Sequence, residues 1–210
     1  MADDTIHGWF RSLARALKRA PRVVEVGVHH GTDTARLASM CGRYGLQWIG
    51  LEPDPRNVAV LESKGLMVIP AAASDAPGCA AMWLSSGETP GCPGREHTDS
   101  SSLCEPTAHL EAHPWCTFGE RVEVETVRLD DVVPDDFAPD LLWVDVQGAQ
   151  RKVIAGAQAV LSRASYLYIE CHPEPLYDGE PTFEELCELL PGWDVVKRWP
   201  ADILFGRRAG

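Results

Sequence analysis

Asp145 ends one short apolar run, Leu141 to Val146, and His172 follows another, Tyr166 to Glu170; both runs read as strands. A carboxylate and an imidazole are thereby placed at the carboxyl edge of a sheet, where open α/β folds collect their ligands. Imidazole titrates naturally between pH 5 and 8, which suits His172 to take a proton from a hydroxyl that Asp145 positions. Asp145, Glu170 and His172 could instead hold a divalent cation that polarises the substrate oxygen, although no metal is expected.

A second constellation lies nearer the start. Glu25-Val26-Gly27-Val28-His29-His30-Gly31-Thr32 reads as a strand end, a glycine-bearing turn and a helix start, so Gly27 and Gly31 let backbone approach a ligand whose anionic group the helix attracts. Glu52 ends the next strand, 21 positions after Gly31, where Rossmann-like folds set a carboxylate on ribose hydroxyls. His29 occupies the place where the NAD fingerprint needs its second glycine, which disfavours a pyrophosphate. A nucleoside carrying an amino-acid carboxylate and amine fits Glu25, the turn and Glu52 together, and S-adenosylmethionine is such a ligand.

The elements that must position these groups follow from periodicity. Ile6, Trp9, Phe10, Leu13 and Leu17 recur at helical spacing, so residues 1–21 carry an amphipathic helix capped by Asp3 or Asp4 and stopped by Pro21. Strands at Val23 to Val26, Trp48 to Leu51 and Leu66 to Ile69 alternate with helices at Thr32 to Cys41 and Pro55 to Ser63, the rhythm of a parallel sheet covered on both faces. It resumes with strands at Val122 to Leu129 and Leu141 to Val146, a helix from Ala149 to Leu161, a strand at Tyr166 to Glu170 and a helix from Thr182 to Leu190. Trp193 to Lys197 and Asp202 to Phe205 are separated by four residues, too few for a parallel crossover, and must form an antiparallel hairpin.

Residues 85–119 interrupt this rhythm with Gly, Pro, Ser, Cys and His. They are expected to form an insertion or lid in a single domain spanning 1–210, anchored by Trp115 and Phe118. Its Cys92, His97, Cys104, His109, His113 and Cys116 match no common zinc spacing, and the seven cysteines do not make a disulfide scaffold. With 31 acidic against 19 basic residues and a net charge of -12, a nucleic-acid partner would be repelled. No apolar run is long enough to span a bilayer, and the opening Met-Ala-Asp-Asp lacks signal-peptide character, so a cytoplasmic location is expected, with a homodimer compatible with the sequence.

Several segments in order resemble the FkbM-type class I methyltransferases: Glu25-Val26-Gly27 to Gly31; Leu51-Glu52-Pro53; Ala72-Ala73-Ser74-Asp75 with Gly78; Ser101-Ser102-Leu103; Val127 to Asp131; Asp140 to Gln150 running on to Gly156-Ala157; and Ile169 to Pro173. The resemblance implies a Rossmann-like fold, a mostly parallel seven-stranded sheet with an antiparallel C-terminal hairpin and helices on both faces. It also implies that Glu25, Gly27 and Gly31 hold the methionine end of S-adenosylmethionine, with His29 beside them. Glu52 would hold the ribose, and Ser74 with Asp75 the adenine edge. Ser101, Ser102 and Glu170 fall to the substrate. The chain departs from the family where acidic residues are usual, at Gln147 and Gln150, where Lys is common, at Trp143, and where Asn is common, at His29. The function expected is O-methylation of a hydroxyl on a small molecule, a sugar or other natural product. The alternative is a non-catalytic nucleoside-binding or interaction protein on the same fold.

Overall fold

The computed structural model describes residues 4–88 and 91–208. Helix α1 (Ile6–Leu17) leads into β1 (Arg22–Val26), α2 (Thr32–Met40), β2 (Gln47–Leu51) and α3 (Pro55–Ser63). Then come β3 (Ala72–Ala73) and two long strands, β4 (Gly78–Gly87) and β5 (Cys116–Val127), with the short α4 (His109–Ala112) between them. The chain continues through α5 (Leu129–Val132), β6 (Leu141–Val144), α6 (Gln150–Ala155), α7 (Gln158–Arg163) and β7 (Tyr166–Glu170). It closes with α8 (Phe183–Leu189), β8 (Trp193–Arg198) and β9 (Asp202–Arg207).

The main sheet has the order β2-β1-β6-β7-β9-β8, parallel from β2 to β7 and antiparallel across β7-β9 and β9-β8. The C-terminal hairpin is thus as expected, but the sheet has six strands rather than seven. The run at Leu66 to Ile69 reduces to one bridge between Ile69 and Leu51. The chain there goes on to supply β3, which pairs with β5 in a second, three-stranded sheet. Both faces of the main sheet are apolar because neighbouring strand residues alternate between two cores. Val24, Val26, Leu142 and Val144 pack with α5 to α8, while Val23, Leu141 and Trp143 pack with α1 and α2. Trp143 is therefore a core residue, its ring 4.3 Å from that of Tyr168.

Other differences have local causes. The cap of α1 is Thr5, whose Oγ1 accepts the Gly8 N–H; Asp3 lies outside the described residues, and Asp4 is drawn to Lys197 and Trp199. The helix expected from Ala149 to Leu161 is two helices broken at Gly156, where a Cβ would lie 1.9 Å from the Ser74 carbonyl oxygen. Strands β4 and β5 pair out to Gly87 and Cys116, so the irregular segment is narrower than expected, 88–115. That segment folds back on β4, with Ser102 and Trp83 exchanging backbone hydrogen bonds at 2.8 and 3.0 Å.

The closest approach at the sheet edge is between the loops after β1 and β6. Gly27 has φ +86°, and a Cβ there would meet the Asp145 carbonyl oxygen at 1.7 Å. Gly27→Ala is expected to destabilise the protein by about 3 kcal/mol or more, since the obstacle is backbone and cannot rotate away. Urea unfolding checks this; a loss under about 1 kcal/mol would show that the two loops can part.

Candidate active site

In the order β2-β1-β6 the chain leaves β1 toward one side and later returns on the other, so the carboxyl end of β1 is a topological switch point. A cleft of about 590 Å³, counted to its open mouth, lies there. Its walls come from the strand ends (Val26, Gly27, Leu51, Glu52, Asp145), from Ala71 to Ala73, and from Ser101 to Leu103 of the insertion. Pro53, Met82 and Leu103 add an apolar ledge.

Glu52 is the buried carboxylate of this cleft. Its Oε2 accepts the His29 N–H at 2.7 Å and its Oε1 accepts the Asp54 N–H at 2.9 Å, leaving Oε2 able to accept another hydrogen bond. Burial outweighs these donors and pushes Glu52 up to about 7. Glu25 is also raised to about 7 by burial, but it faces the α2 side, where its Oε2 accepts from Thr34 Oγ1 at 2.6 Å and Trp48 Nε1 at 2.7 Å. Gly31 caps α2 against Leu61 and Leu66. Ser74 donates to Asp75 at 3.0 Å beside Gly156. Glu25, Gly31, Ser74 and Asp75 thus stand around the cleft rather than among its lining residues, whereas Gly27, His29, Glu52, Ser101, Ser102 and Asp145 line it.

The insertion is fastened over this edge. Thr98 Oγ1 donates to Asn57 Oδ1 at 2.8 Å, which leaves it to accept from His29 Nε2–H at 2.9 Å; the same nitrogen is 2.7 Å from Asp99 Oδ1. Ser101 Oγ donates to Asp54 Oδ2 at 3.0 Å, and Arg56 joins Asp54 to Glu96. Two histidines of the insertion meet one hydroxyl, His97 Nε2 and His109 Nε2 lying 2.8 and 3.0 Å from Ser100 Oγ. Among the described residues no group of three or more His, Cys, Asp or Glu side chains is arranged to hold a metal ion.

Beyond Asp145 runs a row of polar groups. Gln147 Nε2 donates to Asp145 Oδ1 at 2.7 Å and to Glu170 Oε2 at 2.9 Å. Glu170 Oε1 lies 3.4 Å from His172 Nε2, and His172 Nδ1 is 2.7 Å from Glu180 Oε1. Burial works against the Glu180 charge, but His172 and the Leu176 and Tyr177 amides hold that carboxylate below its ordinary range. An ionised Glu180 can only accept, so Nδ1 carries the proton and Nε2 is the basic nitrogen. Burial pushes both Asp145 and Glu170 upward. Asp145, Glu170 and His172 are therefore brought together as expected, with His172 one residue behind the cleft wall. Sequence reading missed Glu180 and Tyr177, which sit in a loop with no periodic pattern, and Asn57, which looked like any helix residue.

A parallel sheet with an antiparallel end and a nucleoside-sized cleft at its switch point defines a class I methyltransferase fold. Residues 25–198 match the family described as Methyltransferase FkbM domain, and the chain belongs to that family. It is 31% identical over 193 residues to the 2-O-methyltransferase NoeI of Sinorhizobium fredii, covering 89% of this chain and 77% of that one. The FkbM methyltransferase structure from Methylobacillus flagellatus shares its fold at a TM-score of 0.56 and 15% identity, over 89% of this chain but only 43% of that one. Cofactor-bound Rv0187 from MTB aligns over all of this chain and 83% of its own, at 16% identity and a TM-score of 0.50. The cofactor of this methyltransferase is S-adenosylmethionine, and the buried Glu52 carboxylate beside the close backbone turn at Gly27 suits it.

The raised carboxyls have a consequence for stability. A group whose folded pKa exceeds its unfolded value favours folding while protonated, so the contributions of Glu25 and Glu52 are complete below about pH 4.5 and are lost as pH rises through about 7. Glu25→Gln keeps an acceptor for Thr34 and Trp48. It is expected to stabilise the protein by up to about 3 kcal/mol near pH 8 and by little near pH 5. Unfolding at both pH values checks this, and an equal effect at the two would contradict it.

Proposed function

We propose that this protein is a cytoplasmic enzyme that methylates a hydroxyl of a small molecule, a sugar or related natural product. The observation that carries this reading is the adjacency of the Glu52 cleft to the Asp145, Glu170 and His172 row. The 2-O-methyltransferase relative supports oxygen as the acceptor atom.

Bound in the cleft, S-adenosylmethionine supplies an electrophilic methyl group on a sulfonium. Glu52 would accept from the ribose hydroxyls, the Gly27 turn would lie against the methionine end, and Ala72, Ala73 and Leu103 would flank the base. Asp145 faces the cleft and orients the acceptor hydroxyl. Glu180 fixes the His172 tautomer, so that Nε2, facing Glu170, is the nitrogen that gains a proton from the Glu170 carboxyl as that carboxyl takes up the one the hydroxyl loses. The Asp54, Asn57 and His29 bonds to residues 98–101 hold the insertion as a wall that keeps water from this edge.

Glu52→Ala is expected to weaken cofactor binding by about 1.5 to 3 kcal/mol, the range for hydrogen bonds to charged groups. Calorimetry with S-adenosylhomocysteine tests this, and an unchanged affinity would refute the assignment. His172→Ala is expected to lower single-turnover methyl transfer by about 10²-fold to 10⁴-fold with cofactor affinity little changed. The acceptor is found by following labelled methyl into fractionated small-molecule extracts. Cofactor binding without any labelled product would favour a non-catalytic nucleoside-binding protein.

A further inference from the structure

Asp145 and Glu170 are two carboxyl groups drawn to one spot, and burial together with the nearby Asp145 charge pushes Glu170 well above the ordinary carboxylate range. Such pairs need something electropositive between them. Here that place is filled by a neutral side chain. The Gln147 amide nitrogen sends one N–H to Asp145 Oδ1 at 2.7 Å and the other to Glu170 Oε2 at 2.9 Å. The opposite orientation would press the amide oxygen against both carboxyls, so the network fixes which end is nitrogen.

The amide is held from every side. Tyr177 shares its single hydroxyl proton between Gln147 Oε1 at 3.0 Å and the Ser100 carbonyl at 2.9 Å. Ser102 Oγ donates to the Gln147 peptide carbonyl. Gln147 also adopts φ +49°, a left-handed conformation that a non-glycine residue takes only when its surroundings impose it. Of these partners Ser102 comes from the insertion, Tyr177 from the loop after β7 and Glu170 from the end of β7 itself. Three segments thus converge on one residue.

We propose that Gln147 is a positioning residue that takes the place of a divalent cation, spacing Asp145 and Glu170 so that methyl transfer proceeds without a metal. The functional consequence rests on the methyltransfer reading above, while the occupancy argument rests on the hydrogen bonds alone. The two can therefore fail separately. With the amide in place, an ion would have to displace both N–H donors to reach the two oxygens. With Gln147→Glu, the donors disappear and a third carboxylate joins Asp145 and Glu170, with His172 close by.

The test is a thermal titration with Mg²⁺ and Mn²⁺, which needs no acceptor, paired with turnover once an acceptor is in hand. The parent protein is expected to show no metal-dependent change in melting temperature and no loss of turnover in EDTA. Gln147→Glu is expected to gain at least about 3 °C from millimolar Mg²⁺ or Mn²⁺, the signature of an ion binding the folded state. Its turnover, reduced in EDTA, should recover with metal. Gln147→Leu, which can neither donate nor ligate, should lose kcat at unchanged cofactor affinity and recover nothing with metal. It keeps the test decisive if Gln147→Glu does not fold. The proposal is overturned if the parent is stabilised by Mg²⁺ or inactivated by EDTA, if folded Gln147→Glu gains nothing from either ion, or if Gln147→Leu keeps full kcat. An absence of product from the parent under every condition would count against the methyltransfer reading instead, with the thermal titration still deciding what the amide replaces.

Discussion

A carboxylate buried at the end of β2, satisfied by N–H donors rather than by a cation, organises the carboxyl edge of this protein. Glu52 takes its donors from two loops, His29 from the turn after β1 and Asp54 from its own. A charge buried this way is costly, so the loops must hold their places to keep it solvated by backbone. His29 does more than donate its amide. Its ring reaches Thr98 and Asp99, so the residue that satisfies the Glu52 carboxylate also fastens the insertion. Displacement at either end would be felt at the other.

Residues 96–102 of the insertion are tied to the rest of the domain by hydrogen bonds. The hydroxyls of Ser85, Ser100, Ser101 and Ser102 are used as small polar links between the insertion, β4 and the neighbouring loops. Serine can donate and accept at once, which explains why a stretch so poor in apolar residues still packs against the domain. The same segment lines the cleft together with Asp145 and Gln147.

What the sequence made legible was what periodicity and turn length govern: the βα alternation, the α3 span, and the reversed hairpin, where four residues cannot make a crossover. Glu52 was legible because the spacing from the glycine turn is fixed by one helix and one strand. Less was visible where tertiary contact decides. Strand β4 begins at Gly78 in a run that shows no clean alternation, because part of that strand is exposed on both sides. Gly156 breaks a strongly helical pattern because the Ser74 carbonyl needs the space of a side chain. Trp143 departs from the family pattern for a reason found only in the packing of α1 on the sheet. Glu180 is eight residues from His172 along an irregular loop, and nothing local announces that the two will meet.

The position of a bound nucleoside is the most direct measure of what the Glu52 edge does. A crystal structure with S-adenosylhomocysteine should place both ribose hydroxyls within hydrogen-bond distance of the Glu52 carboxylate, with the insertion still joined to His29. A nucleoside bound elsewhere, or a ribose turned away while Glu52 keeps only its bonds to His29, Asp54 and Asn57, would contradict that placement.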